Sequence, residues 1–263
     1  KVLRTDGMRQ AEVEERLLSQ EALTLAKLSH PNVVTIYDVA LLDGKLAIAM
    51  ELVEGQTMRD WLDERTRSPG EVLALLRQAG AGLAAAHAVD VVHGDFKPDN
   101  VLIGSDGRAR VGDFGLSRGE TVGHKTTAGP PELLVGRVAG TPTYMAPEQL
   151  AGQPLDARAD VFAFCVVAWE AYFGARPFAG KTTSELAAAI SAGPPRPRTL
   201  PLSIAAGVCN VLRRGLAVDR HVRPNSIDAV LTALSAAHQR PRRAAAVVLA
   251  IVAVICLATA QRY

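Results

Sequence analysis

The stretch His93-Gly94-Asp95-Phe96-Lys97-Pro98-Asp99-Asn100, followed further on by Asp113-Phe114-Gly115, decides how the rest of the chain is read. It places an acid, a lysine and an amide within six residues, and a second acid 13 positions beyond Asn100. Phosphoryl transfer needs that set: a carboxylate to take a hydroxyl proton, an amide and a carboxylate to hold Mg2+, and a cation to balance charge on the moving group. Taken singly, Asp95, Asn100 and Asp113 belong to the residue types that form caps and turns. Their order and spacing together argue against that ordinary role.

Working outward, short strands predicted around 101–103 and 108–111 flank a Ser105-Asp106-Gly107 turn, which sets the acid-bearing segments on loops bordering a small hairpin. Upstream, Leu17, Leu18, Ala22, Leu25 and Leu28 recur at helical spacing over 11–28. Pro31 ends that helix, because proline disfavours helix in the residue before it. Two β-rich runs follow, 33–39 and 45–52, with Asp43-Gly44 as the turn between them. Gly55 is read as opening a connection to a helix at 58–65, and a long helix is predicted from about 69 to 89. From 116 to 141 the composition turns polar and periodicity disappears. Helices resume near Pro147; 161–173 is apolar on nearly every face, as a core helix is, and 227–237 is a final amphipathic helix.

The chain has 263 residues, 48% of them hydrophobic, with a formal net charge of +2. That is material for one large domain or two closely joined lobes, and the charge gives no argument for nucleic-acid binding. The three cysteines, Cys165, Cys209 and Cys256, sit in apolar surroundings with no close pair. They read as buried thiols rather than a disulfide framework or a zinc site. The chain opens on Lys1 and closes on Gln261-Arg262-Tyr263, so both ends are expected to be cut. Residues 244–260 form a 17-residue uncharged run preceded by Arg240-Pro241-Arg242-Arg243. As a helix it reaches roughly 26 Å, near the lower limit for a bilayer core of about 30 Å. Arginines on one flank are the mark of a cytoplasmic side, so a membrane span is expected, with the preceding residues inside the cell.

With these residues in view, the chain resembles the bacterial eukaryotic-like (Hanks-type) Ser/Thr protein kinases of the membrane-anchored receptor type, over residues 1 to about 238. The resemblance implies an α+β, two-lobed protein-kinase-like fold: a partial N-lobe over 1–53, a mainly helical C-lobe over 54–238, a basic juxtamembrane segment at 239–243 and one transmembrane helix at 244–260. It implies ATP and Mg2+ as cofactors, protein serine or threonine as acceptor, location in the cell's inner (plasma) membrane with the catalytic part cytoplasmic, and pairing of kinase domains. Lys1 resembles the ATP-pairing lysine and Glu21 its helix partner; Met50 resembles the gatekeeper, Glu51 and Val53 the hinge, and Leu102 the residue beneath adenine. Asp95 matches the catalytic base, Lys97 the lysine facing the γ-phosphoryl group, and Asn100 and Asp113 the Mg2+ ligands. Thr141 matches the substrate-docking threonine. Glu148 and Arg223 match a buried ion pair, and Asp160 the acid that braces the catalytic loop. Thr126 and Thr127 are candidate phosphosites.

Two departures bear on function. The glycine-rich loop and its strands would precede Lys1, so the N-lobe reads as incomplete and this stretch by itself is expected to bind ATP poorly. Gly94 stands where the family usually carries an arginine that grips a phosphorylated activation loop, so less dependence on loop phosphorylation is expected. Two other readings compete. A pseudokinase scaffold is opposed by the joint presence of Lys1, Asp95, Asn100 and Asp113. A small-molecule kinase fits His93-Gly94-Asp95 well, but Lys97-Pro98 and Ala146-Pro147-Glu148 belong to the peptide-docking type. His93 reads as a structural histidine, and His30, His87, His124, His221 and His238 as turn or surface residues.

Overall fold

The computed structural model describes residues 24, 26, 28–42, 45–114, 142–180, 182–195 and 206–239. Two antiparallel sheets lie within them: β1 (Ile36–Leu42) pairs with β2 (Lys45–Met50), and β3 (Gly55–Thr57), β4 (Val101–Gly104) and β5 (Ala109–Val111) form a second sheet in that order. The helices are α1 (Met58–Glu64), α2 (Pro69–His87), α3 (Pro147–Leu150), α4 (Ala157–Phe173), α5 (Thr183–Ser191), α6 (Ala206–Gly215) and α7 (227–239).

Helix α2 starts where its sequence says it should. Ser68 and Glu71 form a reciprocal capping box, and Pro69 occupies the first turn, where its missing N–H has no partner to lose. Val72, Leu75, Leu76, Ala79, Leu83 and Ala86 form its buried stripe. The small residues on that stripe let backbone come close: a Cβ on Gly82 would stand 2.2 Å from Asn32 O. Asn32 in turn stitches the approach to β1 onto β5. Its side-chain amide donates to Ala109 O at 2.7 Å, and its carbonyl accepts from Val111 N at 2.8 Å. Val34 N donates to Val111 O at 2.9 Å, and Val33 makes an isolated parallel bridge to Val111. The strand expected from Val33 therefore begins at Ile36, because Val33 and Val34 pair with the other sheet.

Gly55–Thr57 is a strand rather than a mere connection. A Cβ on Gly55 would meet Ile103 O at 2.0 Å, so pairing with β4 needs a residue without one. Helices α5 and α6 were also not anticipated from periodicity.

Helix α4 is buried nearly all round, as the mostly apolar run 161–173 predicts, and Gly174 ends it in the left-handed region at φ 71°. Cys165 and Cys209 are free and buried, and burial pushes the Cys165 thiol pKa up to about 12. No helix among the described residues is long and apolar enough to cross a membrane, and the expected span at 244–260 lies outside them.

Near the start of α4, Asp160 is fully buried. Its Oδ2 accepts from His93 N at 2.7 Å and lies 2.7 Å from His87 Nε2, while Oδ1 accepts from Gly94 N at 2.8 Å. Burial by itself would push the carboxyl pKa up; the His87 hydrogen bond, the neighbouring imidazoles and the Gly94 amide outweigh it and hold the pKa below the ordinary value.

Two kinds of outcome follow for stability, one of packing and one of acid. Gly82→Ala, blocked by backbone, is expected to lose about 1–3 kcal/mol in urea unfolding, from overpacking. Gly70→Ala, with only Ser68 Oγ at 4.0 Å near its added methyl, is expected to gain about 0.5 kcal/mol from helix propensity. The second concerns acid. A depressed folded pKa gives stability that is complete above the unfolded value of about 3.9 and is lost as pH falls through the folded one. Asp160→Asn is therefore expected to cost ~3 kcal/mol or more at neutral pH and to flatten the fall in stability below about pH 4. Melting temperature against pH for both proteins checks this.

Candidate active site

Residues 93–100 alternate between core and surface. His93, Phe96, Pro98 and Asn100 are buried, whereas Asp95 and Lys97 are only partly covered and Asp99 is exposed. Phe96 is the anchor: it is fully buried and stacks on Phe164 of α4 with ring centroids 5.9 Å apart. The apolar members of the segment thus pin the loop, and Asp95, Lys97 and Asp99 between them reach solvent to differing degrees.

His93 is completely buried, and desolvation lowers its pKa, so the ring is neutral. Its tautomer follows from its partners. Asp95 N–H points at Nδ1 at 3.2 Å, so Nδ1 is the acceptor; Nε2 then carries the proton and donates to Gly112 O at 3.0 Å. The ring lies 4.6 Å from that of Phe114. His93 is structural, as expected, and it links the residue before Asp113 to the backbone of Asp95.

Three chemistry-bearing side chains meet on this loop. Lys97 Nζ stands 2.7 Å from Asp95 Oδ2. Asn100 Nδ2 donates to Asp95 O at 2.8 Å and lies 3.4 Å from Asp95 Oδ2. Asp113 follows β5, and the adjoining Gly112 N donates to Asn100 O at 2.9 Å, so the two segments are tied backbone to backbone. Asp113 itself sits at φ 54°, a left-handed conformation uncommon for residues other than glycine and tolerated best by Asp and Asn. Strained backbone of this kind concentrates at functional sites.

The set fits a hard cation. Asn100 uses its amide nitrogen on Asp95 O, which leaves the oxygen as the end that can ligate a metal, and Asp113 brings a carboxylate. Mg2+ is commonly held by one or two protein oxygens, with substrate phosphates and water completing the octahedron. Among the described residues no cluster of three or more His, Cys, Asp or Glu forms a metal cage of its own.

Met50 ends β2, and Glu51 follows it with its N–H already donated to Thr35 O at 2.8 Å. The Glu51 N–H is therefore already engaged within the described residues. The Glu51 carboxylate pairs with Arg110 Nε at 3.1 Å and accepts from Thr35 N at 3.3 Å. Val53 lies two residues on, and Leu102 sits in β4 opposite Thr57 and Arg110. Glu148 and Arg223 form the expected ion pair, two parallel bonds of 2.7 and 2.8 Å with Arg223 also donating to the carbonyls of Arg158, Ala217 and Val218. A buried charge pair is tolerated when its remaining hydrogen-bonding capacity is met in this way. Lys1, Glu21, Thr126, Thr127 and Thr141 lie outside the described residues.

Sequence reasoning missed three participants. His87 is not a free turn or surface residue: it is mostly buried and bonds to Asp160. Glu170 accepts from Tyr144 OH at 2.6 Å and from Arg59 Nη1 at 3.1 Å, and Arg59 Nη2 also bonds the Tyr144 hydroxyl. Burial and the neighbouring Glu170 push the Tyr144 hydroxyl pKa up, so it stays a donor. Glu170 is the lone charge in the apolar run 161–173, a signal that could have found it. The third is Gln149, whose side chain reaches Gly94.

Comparison with known proteins agrees with this geometry. The protein kinase domain family model matches residues 1–234. The chain is 36% identical over 244 residues to the serine/threonine-protein kinase pkn2 of Myxococcus xanthus, covering 90% of this chain and 29% of that protein. It is 33% identical over 229 residues to the serine/threonine-protein kinase PknE of Mycobacterium tuberculosis, covering 86% of this chain and 39% of that protein. The chain therefore spans well under half the length of these curated relatives. Among solved structures, the kinase domain of Mycobacterium tuberculosis PknI matches with a TM-score of 0.64 and 27% identity, over 90% of this chain and 83% of that one. With a loop that gathers Asp95, Lys97 and Asn100 and is tied to the Asp113 segment, and with the family model matching residues 1–234, the chain belongs to the protein kinase domain family.

Proposed function

We propose that this chain is the catalytic part of a Ser/Thr protein kinase, which transfers the γ-phosphoryl group of ATP to serine or threonine hydroxyls of proteins in transmembrane signalling. The observation that carries the reading is the contact of Asp95 with both Lys97 and Asn100, on a loop held from beneath by Asp160. The names of the relatives from Myxococcus and Mycobacterium support the serine/threonine acceptor class.

In this reading Asp95 orients the acceptor hydroxyl and takes its proton. The hydroxyl oxygen forms a bond to the γ-phosphorus, the bond to the β,γ-bridging oxygen breaks, and ADP leaves with that electron pair. Lys97, with its ammonium beside Asp95, offsets charge on the transferring group. Asn100 and Asp113 would hold Mg2+, and the ion would supply charge neutralisation for the phosphate oxygens. Glu51 and Val53 present backbone to adenine, Leu102 packs beneath it, and Met50 borders it. Lys1, paired with Glu21, reaches the α- and β-phosphates. Thr141 seats the acceptor residue, and Thr126 and Thr127 are sites of regulatory phosphorylation. Residues 1–53 act as part of the N-lobe and 54–238 as the C-lobe. Residues 239–243 and 244–260 serve as a basic flank and a single membrane span, with the kinase part cytoplasmic and able to pair; the arginines before 244 support that orientation.

Gly94 adopts φ 70°, a conformation that suits glycine and burdens residues with a Cβ. That supports a loop whose shape is set by local backbone bonding rather than by an arginine reaching a phosphorylated segment.

The test uses the full-length protein with γ-labelled ATP, Mg2+ and a protein substrate. Label is expected on serine or threonine, lost with EDTA, and Asp95→Asn is expected to lower transfer roughly 10²–10⁴-fold. Parent protein that shows no turnover above Asp95→Asn would favour a binding scaffold. Transfer to a small alcohol with none to protein would favour a small-molecule kinase.

A further inference from the structure

The peptide unit immediately before the candidate base is held at both ends. Its N–H, on Asp95, donates to His93 Nδ1 at 3.2 Å. Its carbonyl, on Gly94, accepts from Gln149 Nε2 at 2.6 Å. One residue back, Gly94 N–H is fixed on Asp160 Oδ1 at 2.8 Å. Gly94 has φ 70° and lacks a Cβ, so its backbone is the least restrained in the loop and would otherwise swing freely about these bonds. With His93 and Asp160 supplied by the loop and the core helix, Gln149 is the third support, and it alone comes from the segment carrying Ala146-Pro147-Glu148.

That segment is itself rigidly seated. Glu148, the neighbour of Gln149, is locked to Arg223, and Ala146 O accepts from both Gln149 N and Leu150 N at 3.0 Å. Gln149 thus extends from a fixed platform to the carbonyl adjoining Asp95, across a separation of 55 residues in sequence. Its length matters: the amide must project from α3 to the loop, and only the nitrogen end can satisfy a carbonyl.

We propose that Gln149 is a positioning residue for phosphoryl transfer: it orients the Gly94–Asp95 peptide plane, and with it the Asp95 carboxylate, relative to the segment that docks the acceptor. Asp95 remains the group that touches the acceptor, and Gln149 acts through it. The inference rests on the kinase reading above. It names the connection by which a docked acceptor and the base keep their register in a loop that carries glycine at position 94. Small errors of placement are costly in such steps, since a misplacement of about 1 Å can lower a rate roughly 100-fold.

The experiment compares the full-length parent with Gln149→Met, which keeps length and removes the donor, and with Gln149→Glu, which sets a carboxylate against the Gly94 carbonyl. Steady-state phosphorylation of a protein substrate, the KM for ATP and the melting temperature are measured for each. Both variants are expected to lower kcat per folded molecule roughly 10- to 100-fold while the KM for ATP stays at the parental value and the melting temperature falls by no more than loss of one part-buried hydrogen bond accounts for. A residue that merely stabilised α3 would lower the melting temperature and leave kcat per folded molecule unchanged; that outcome overturns the inference. Gln149→Met with parental kcat overturns it too and leaves the kinase reading intact. Parent protein whose activity does not depend on Asp95 removes the kinase reading and the inference together.

Discussion

The site hangs on the carboxylate of Asp160. A charge removed from water is costly, by several kcal/mol for an ion of this size, and is kept only when its oxygens are fully engaged. Here they are engaged by three donors from two different parts of the chain: the ring of His87 at the end of α2, and the backbone N–H groups of His93 and Gly94. Because α4 is buried on nearly all sides, the carboxylate has a fixed origin. The loop is therefore positioned by its backbone, which leaves its side chains free for chemistry. A hydrophobic replacement could stabilise such a core equally well, but it could not hold two successive amides in one orientation.

From that anchor the arrangement spreads by short steps. The amide of His93 is held, so its ring is set, and the ring's two nitrogens then bind Asp95 N and Gly112 O. Gly112 N binds Asn100 O, which closes the circuit between the loop and the Asp113 segment. Phe96 and Phe114 fill the space beneath with apolar bulk. On the opposite side, Gln149 brings in the platform fastened by Glu148 and Arg223. A neutral buried histidine at the centre is consistent with this role: it needs one acceptor and one donor nitrogen, and a second proton would leave Asp95 N facing another donor.

Much of this was legible in the residues. The spacing of Asp95, Lys97 and Asn100 is a local signal, because groups carried on one loop lie within reach of each other along the chain, and Asp113 follows one short hairpin later. The capping box Ser68–Glu71 with Pro69 and the largely apolar run in α4 are likewise local signals, governed by orphan amides and by burial. His87, Gln149 and the Arg59–Tyr144–Glu170 group were not legible as partners. Each bonds across 26 to 111 positions, and nothing in a side chain's neighbours along the sequence announces a partner that distant. Gly55 was read as a connection for the same reason: its role depends on Ile103 O lying 2.0 Å from where a Cβ would be.

Sequence alone thus determined the motif residues Asp95, Lys97, Asn100 and Asp113 and, through their order and spacing, the resemblance to protein kinases that the family model over residues 1–234 bears out. Tertiary structure decided how those groups are aimed. It placed the one buried charge that orients the loop, set the tautomer of His93, engaged the Asn100 amide nitrogen on Asp95 O, and brought Gln149 to the peptide before Asp95. Those are matters of angle and distance between segments far apart in the chain, and hydrogen bonds with strict geometry, rather than composition, settle them.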